Sequence, residues 1–105
     1  MPYPTITNLE LSKLAQADLE DIAHYTYLKF GSEQVDIYFE AMLTGMHAIA
    51  STPDIGHKRS DIPQNYKAFR VQKHILIYIQ KEKTVYLSRI IHQSRDFKRH
   101  DISDT

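Results

Sequence analysis

The sequence contains no cysteine and no long apolar run. Without cysteine the chain has no disulfide framework and no thiolate chemistry, which suits a reducing compartment. A membrane-spanning helix needs about 18 or more consecutive apolar residues, and no segment approaches that length. The first residues, 1–5, also lack the basic flank and apolar segment of a secretion signal. We therefore expect a soluble, cytoplasmic protein whose stability comes from packing.

Several motifs of enzyme chemistry are missing as well. The chain has no close pair of histidines at metal-site spacing, no glycine-rich phosphate loop and no Gly-x-Ser-x-Gly nucleophile turn. Enzymes that depend on a metal ion or a bound nucleotide are therefore excluded, and we expect neither a metal site nor a cofactor.

The composition indicates one globular domain. The chain has 105 residues, of which 42% are hydrophobic and 25% are charged. This length allows a modest core but not two domains. We therefore expect a single domain over residues 1–105, with a flexible basic tail from about residue 98.

The zero net charge hides a division between the two halves of the chain. Residues 1–56 contain two basic and eight acidic side chains, a net charge of −6, whereas residues 57–105 contain eleven basic and five acidic ones, a net charge of +6. Either the basic half faces an acidic partner, or the two halves neutralise each other in the fold.

The pattern of apolar residues predicts an α+β fold. Residues 5–11 alternate as an edge strand, and Ser12 can cap a helix that ends at Gly31. Ser32 is predicted to cap a second helix, which runs to Ala50. A polar loop then leads to three antiparallel strands, predicted over residues 66–71, 74–79 and 84–92. We expect the order β-α-α-β-β-β, with the helical hairpin packed on one face of a small twisted antiparallel sheet.

The last predicted strand carries an arginine among aliphatic residues. Strict alternation places Arg89 on one face with Val85, Leu87 and Ile91. A guanidinium in such a position is either paired with a carboxylate of the fold or directed at an anionic partner.

Basic and imidazole side chains cluster on or beside the predicted sheet. They are Arg70, His74, Arg89, His92 and Arg95. Such a set can cleave RNA without metal, because a base activates the ribose hydroxyl while arginines stabilise the phosphorane. It can equally bind an acidic protein surface, and the residue types alone do not decide between these functions.

The chain resembles the RelE/ParE toxin superfamily over about residues 5 to 97. The similar segments are Ala17–Tyr25 in the hairpin, Pro53-x-x-Gly56, Phe69-Arg70, Ile77-Tyr78 and Arg89–Asp96. The ParE branch is the closer match. The resemblance implies the toxin of a bacterial type II toxin–antitoxin module, a class linked to plasmid or prophage stabilisation. ParE-like members block replication by poisoning DNA gyrase, and RelE-like members cleave mRNA on the ribosome.

One position helps to choose between the branches. Where RelE-like nucleases have a catalytic tyrosine or histidine this chain has Phe97, which cannot exchange a proton. We therefore expect gyrase inhibition by binding and no catalytic residue. The predicted target contacts are Arg89, His92, Arg95, Lys98 and Arg99. A ribosome-dependent mRNA interferase, with Arg70, Arg89 and His92 at its site, and a protein that only binds antitoxin are the alternatives.

The resemblance also implies a partner. A small ParD-like antitoxin, encoded beside the toxin, is expected to fold along the hairpin and sheet in a hetero-oligomeric complex. Apolar residues off the main helical stripes are the predicted contacts: Tyr25, Tyr27, Leu28 and Ile37.

Overall fold

A computed structural model describes residues 6–97 and residue 102. The elements are β1 (Leu9–Leu11), α1 (Lys13–Phe30), α2 (Ser32–Ser51), a short 3-10 turn (Pro53–Ile55), β2 (Lys67–Val71), β3 (His74–Lys81) and β4 (Thr84–His92). The predicted α+β class and element order are confirmed.

The four strands form one sheet in the order β1-β4-β3-β2. Strands β2, β3 and β4 are antiparallel neighbours, as predicted, and β3 lies inside the sheet. Strand β1 lies at the edge of the sheet, as predicted, and pairs with β4 in parallel, with Leu9 opposite Val85. The sheet is therefore mixed, with one short parallel pair beside the antiparallel set.

Strand β1 is shorter than the predicted segment 5–11. Residues 7 and 8 form a turn, and Asn8 has a φ of 61°, in the left-handed region that asparagine tolerates. Its amide Nδ2 donates to the carbonyl of Ala50 at 2.9 Å. Asn8 therefore ties the start of the sheet to the end of α2.

The two helices are joined by a single residue. Ser12 caps α1 as predicted, since its hydroxyl accepts the amide of Ala15 at 3.0 Å. Gly31 has a φ of 89°, a backbone conformation that residues other than glycine rarely adopt. Its N–H donates to the Tyr27 carbonyl. The prediction that Ser32 caps α2 is wrong: Gly31 occupies the cap position and Ser32 is already helical, because the reversal needs only the glycine.

The sheet separates two cores. The helix-side core joins both helices to the sheet through residues such as Leu19, Met42, Met46, Leu76 and Leu87. The outer core lies on the other face, where the loop after α2 and the C-terminal segment cover the sheet. Its buried members are Ile62, Ala68, Ile75, Ile77, Ile91 and Phe97.

A β-bulge near Ser88 divides β4. The register with β3 passes from Leu87 opposite Tyr78 to Arg89 opposite Ile77, so one β4 residue has no direct partner. The predicted alternation of faces is therefore wrong beyond Leu87: Ile90 enters the helix-side core, and Ile91 enters the outer core.

The helical hairpin extends beyond the sheet. In α1 the buried residues are Ala15, Leu19 and Thr26, and in α2 they begin only at Met42. The connecting end of the hairpin, around Gly31, therefore carries no fully buried residue. Phe30, which the helical periodicity assigns to the core, is 65% exposed for this reason.

Candidate functional site

Arg89 is paired within the fold. Its Nε and Nη2 atoms donate to the two carboxylate oxygens of Asp18 at 2.8 and 3.0 Å, and each side chain is only 13% exposed. The same carboxylate accepts the backbone N–H of Ile90 at 2.9 Å. Of the two interpretations of this buried arginine, the structure supports the carboxylate partner. The predicted contact of Arg89 with a target stays a prediction.

The Asp18–Arg89 pair lies where β1 ends and the edge of β4 would otherwise be open. Helix α1 covers this edge, and its cap residue Ser12 also forms hydrogen bonds with the backbone of β4. The Ser12 hydroxyl donates to the carbonyl of Ser88 at 2.6 Å, and its N–H donates to the carbonyl of Leu87 at 2.9 Å. Ser12 and Asp18 therefore continue the edge pairing that β1 begins.

A second polar cluster lies where α2 meets the start of β3 and the end of β4. Tyr38 of α2 bonds Nδ1 of His74, and the rings of His74 and His92 meet edge to face with centroids 5.2 Å apart. Burial raises the pKa of Tyr38 to about 12, although a hydrogen bond from the backbone N–H of Lys73 opposes this rise. Burial, and then the charge of His92, lowers the pKa of His74 to about 4.

The hydrogen bonds of the cluster, together with the pKa shifts of Tyr38 and His74, indicate where its protons lie. Tyr38 remains protonated at neutral pH and donates to the unprotonated Nδ1 of His74. Ser94 donates its N–H to Nδ1 of His92 at 3.1 Å, so the His92 proton resides on Nε2 when the ring is neutral. The cluster therefore joins α2 to the end of β4 and holds the turn that leads to Arg95.

The three residues proposed for RNA cleavage do not converge. His92 pairs with His74, on the face that contacts α2. Arg70 pairs with Ile75 of the outer core and bonds the Gln72 carbonyl at 2.8 Å. Since paired residues share a face, Arg70 and His92 lie on opposite faces of the sheet. Arg89 is held at the sheet edge by α1.

The C-terminal segment is anchored by an aromatic residue. Phe97 is 1% exposed in the outer core, and the Arg59 guanidinium lies 4.2 Å from its ring centroid. Arg59 in turn bonds Asp61 through two nitrogen–oxygen contacts of 2.8 and 2.7 Å. Arg95 is exposed just before this anchor. The predicted target residues Lys98 and Arg99 lie outside the described residues.

The hairpin tip exposes a set of large apolar side chains. The four predicted partner residues and Phe30 share this position, and we call them the tip surface: Tyr25, Tyr27, Leu28, Phe30 and Ile37, which are 53–68% exposed. The sequence analysis missed Phe30, because its helical spacing matches the core stripe. The signal that could have found it is its place next to Gly31, where the hairpin reverses.

The Pro-x-x-Gly loop and the Ile-Tyr strand segment prove to be parts of one contact. The hydroxyl of Tyr78 donates to the carbonyl of Pro53 at 2.6 Å and accepts the N–H of Gly56 at 2.9 Å. A Cβ at position 56 would overlap that hydroxyl and approach Lys67 Cβ to 3.0 Å, so only glycine fits. These residues therefore fix the loop after α2 on the sheet.

Neither a membrane span nor a metal cluster is found in the part of the chain that the structure describes. Over residues 6–97 and 102, no helix combines the length and apolarity needed to cross a bilayer. Over the same residues, no three histidine or acidic side chains lie close enough together to hold a metal ion.

The fold matches that of a known toxin–antitoxin protein. A chain from the solved structure of the chromosomal ParDE TA system of P. aeruginosa superposes with a TM-score of 0.71 at 16% identity, covering 81% of this chain and 94% of that one. This similarity shows that the two chains share a fold.

Sequence comparison identifies the family of this chain. The family model for the ParE toxin of type II toxin-antitoxin system, parDE, matches residues 9–97. Toxin ParE1 of Mycobacterium tuberculosis is 32% identical over 91 residues, covering 86% of this chain and 93% of the relative. Toxin ParE1 of Caulobacter vibrioides is 29% identical over 90 residues, with the same coverage. The chain belongs to the ParE toxin family of type II toxin–antitoxin systems.

Proposed function

We propose that this ParE-family toxin inhibits DNA gyrase by binding it, and that a ParD-like antitoxin neutralises it. The observation that carries the proposal is that one fold presents two exposed surfaces of different chemistry. The tip surface is apolar, whereas residues 95–99, which follow β4, contain three basic side chains and one acidic one, with Phe97 buried among them. One surface suits a partner that folds on binding, and the other suits an acidic or nucleic-acid-bound target.

The tip surface has the composition of an interface. Aromatic and aliphatic side chains that are more than half exposed contribute strongly when a partner covers them. The tip also carries exposed carboxylates at Glu33 and Asp36, and the ammonium of Lys29 lies 5.7 Å from the ring centroid of Tyr25. We infer an amphipathic antitoxin segment that covers the apolar residues and places basic groups at the rim.

The C-terminal segment is the proposed gyrase contact. Arg95 is exposed, and its turn is held by the bond from its own N–H to the His92 carbonyl at 2.9 Å. Lys98 and Arg99 follow in the sequence and add two positive charges. Electrostatic complementarity of this kind speeds association and fixes orientation on an acidic surface.

Three features of the structure favour action by binding over RNA cleavage. Phe97 is buried where a nuclease would present a proton-transferring group. Arg89 is held by Asp18, and Arg70 and His92 lie on opposite faces of the sheet. In the proposed mechanism the toxin stabilises gyrase with its DNA cleaved, so the broken strands result from the chemistry of gyrase itself.

Antitoxin binding is tested by substitution at the tip. Tyr27→Ser combined with Leu28→Ser should weaken the complex with the antitoxin encoded beside the toxin about tenfold or more, since each substitution removes an apolar side chain that anchors the interface. Leu14→Ser combined with Ile55→Ser is the matched control, because both residues are exposed but lie away from the tip. Equal affinities of the two folded variants in calorimetric titration would remove the tip from the proposal.

Gyrase contact is tested by removing charge from the tail. Arg95→Ala, Lys98→Ala and Arg99→Ala together should relieve inhibition of supercoiling, with the antitoxin withheld. Lys13→Ala, Lys29→Ala and Lys83→Ala together remove the same charge elsewhere and should leave inhibition unchanged. If the folded tail variant inhibits as well as the wild type, the tail does not carry the activity.

A further inference from the structure

A basic groove lies at the end of β3 that is remote from His74. It has a volume of about 570 Å³, and its lining includes Lys58, Lys67, Lys81, Asn65 and Gln80. This volume falls within the range of about 300–1,000 Å³ that is typical of ligand sites. The groove is separate from both the tip surface and the C-terminal segment.

The groove contains a strand edge that the fold leaves open. Strand β2 begins at Lys67, opposite Tyr78, so β3 continues beyond it through Gln80 and Lys81. The residue that would pair with Gln80 is Asn65, but its φ of 79° turns the chain away. The described part of the chain therefore provides no neighbouring strand for Gln80 on this side.

The backbone of Gln80 faces that open side. Gln80 is opposite Val85 in the antiparallel ladder of β3 and β4. The Val85 N–H donates to the carbonyl of Asn8, the residue before β1, at 2.8 Å, so it points away from β3. For two residues opposite each other in such a ladder, the backbone N–H and C=O groups either all bond across the pair or all point away from it. Since Val85 points outward, the N–H and C=O of Gln80 also point outward, into the groove.

The charge of the groove is positive. Its lining contains three lysines and no carboxylate residue, and Lys67 bonds Asp54, outside the lining, at 3.1 Å. The Asp54 side chain is 92% exposed, so water competes strongly with this pair. The Lys81 ammonium lies 5.9 Å from the centroid of the Tyr86 ring. The groove thus combines an outward-facing backbone with a lining that contains three lysines.

The floor of the groove is fixed before any ligand arrives. Tyr78, which is 1% exposed, bonds Pro53 and Gly56 and so holds the loop against β3. Its ring offers no open face on which a nucleobase could stack, although stacking is the usual support for single-stranded nucleic acid. An extended backbone flanked by carboxylates fits this surface better.

We infer that the groove binds an extended acidic peptide segment as a short additional strand beside β3. One residue of the peptide exchanges backbone hydrogen bonds with Gln80, and its neighbouring carboxylates contact Lys58, Lys67 and Lys81. Recognition by an open strand edge combines affinity from the main chain with selectivity from side chains. This inference concerns a surface that neither the antitoxin nor the gyrase proposal uses.

The test uses the full chain and a labelled, acetylated six-residue peptide that alternates glutamate with threonine. Fluorescence anisotropy should detect binding that weakens with salt, and the amide resonances of Gln80 and Lys81 should shift. Lys58→Gln combined with Lys81→Gln should weaken binding by about twofold to thirtyfold, from the range for exposed ion pairs. Lys13→Gln combined with Lys73→Gln, remote from the groove, should bind as the wild type does.

Two further probes separate the components of the inference. A peptide with glutamine in place of glutamate should bind more weakly, and a peptide N-methylated at every residue should lose binding because it has no backbone N–H with which to pair with Gln80. Equal binding of either peptide, or binding of oligothymidylate in preference to the acidic peptide, would overturn the inference. Because the tip variants test antitoxin binding independently, failure here leaves that proposal intact.

Discussion

Replacing Arg89 with methionine should strongly destabilise the fold. Arg89→Met keeps an unbranched apolar stem but removes the guanidinium, which leaves the Asp18 carboxylate with only the Ile90 N–H among its three described bonds. Removing one partner of a buried ion pair costs about 3–5 kcal/mol. Because both side chains retain 13% exposure, water can solvate part of the remaining charge, and we expect a loss of about 2–4 kcal/mol.

A second substitution separates the charge from the hydrogen bond. In Asp18→Asn combined with Arg89→Met, the amide oxygen still accepts the Ile90 N–H, and no buried charge remains. We expect this double variant to recover to within about 1 kcal/mol of the wild type.

Urea unfolding followed by circular dichroism measures these differences as midpoint shifts at constant slope. Lys13→Met, an exposed change in the first turn of α1, is the control and should shift the midpoint little. The reasoning is refuted if Arg89→Met loses less than about 1 kcal/mol, or if the double variant is no more stable than the single one.

Three other predictions follow from described contacts. Ser12→Ala removes a helix cap and the bond to the Ser88 carbonyl, so unfolding free energy should fall by about 1–3 kcal/mol, whereas Ser32→Ala, which removes no cap bond, should change it by less than about 0.5 kcal/mol. Gly56→Ala should lower the melting temperature because its Cβ overlaps the Tyr78 hydroxyl, and Ile55→Ala, at a 39% exposed neighbour, should lower it less. The folded pKa of His74, about 4, lies below its ordinary 6.5, so the unfolded chain takes up the proton first as pH falls. The contribution of His74 to the free energy of unfolding is therefore complete above about pH 6.5. As the pH falls towards 4 this contribution is lost, at up to about 1.4 kcal/mol per pH unit. His74→Gln should flatten this loss in pH-dependent urea titrations, and exposed His24→Gln should not.

Local signals in the sequence were sufficient for most of the fold. The serine cap at Ser12, the reversal at Gly31 and the apolar run of β3 each depend on neighbouring residues, and each is found as predicted. Periodicity failed where an element departs from regular geometry. The bulge near Ser88 inverts the faces of β4 beyond it, and nothing in an alternating sequence marks such an insertion.

The candidate site depends more on contacts distant in sequence. Asp18 and Arg89 are 71 positions apart, so the sequence could pose the question of a partner for Arg89 but could not name one. The exposure of Phe30 depends on where the sheet ends beneath the hairpin, which helical spacing does not encode. The exposure of the four predicted tip residues was foreseeable because they lie off the apolar stripes, a property that is local, and their contact with an antitoxin stays a prediction.

The most direct test of the proposed function is DNA cleavage by purified gyrase in the presence of this chain, with antitoxin absent. We predict loss of supercoiling and accumulation of broken DNA covalently attached to gyrase, and neither product should form with cleavage-incompetent gyrase, because the toxin itself breaks no bond. Unchanged supercoiling, together with cleavage of ribosome-bound mRNA that is lost in a folded His92→Ala variant, would contradict the account.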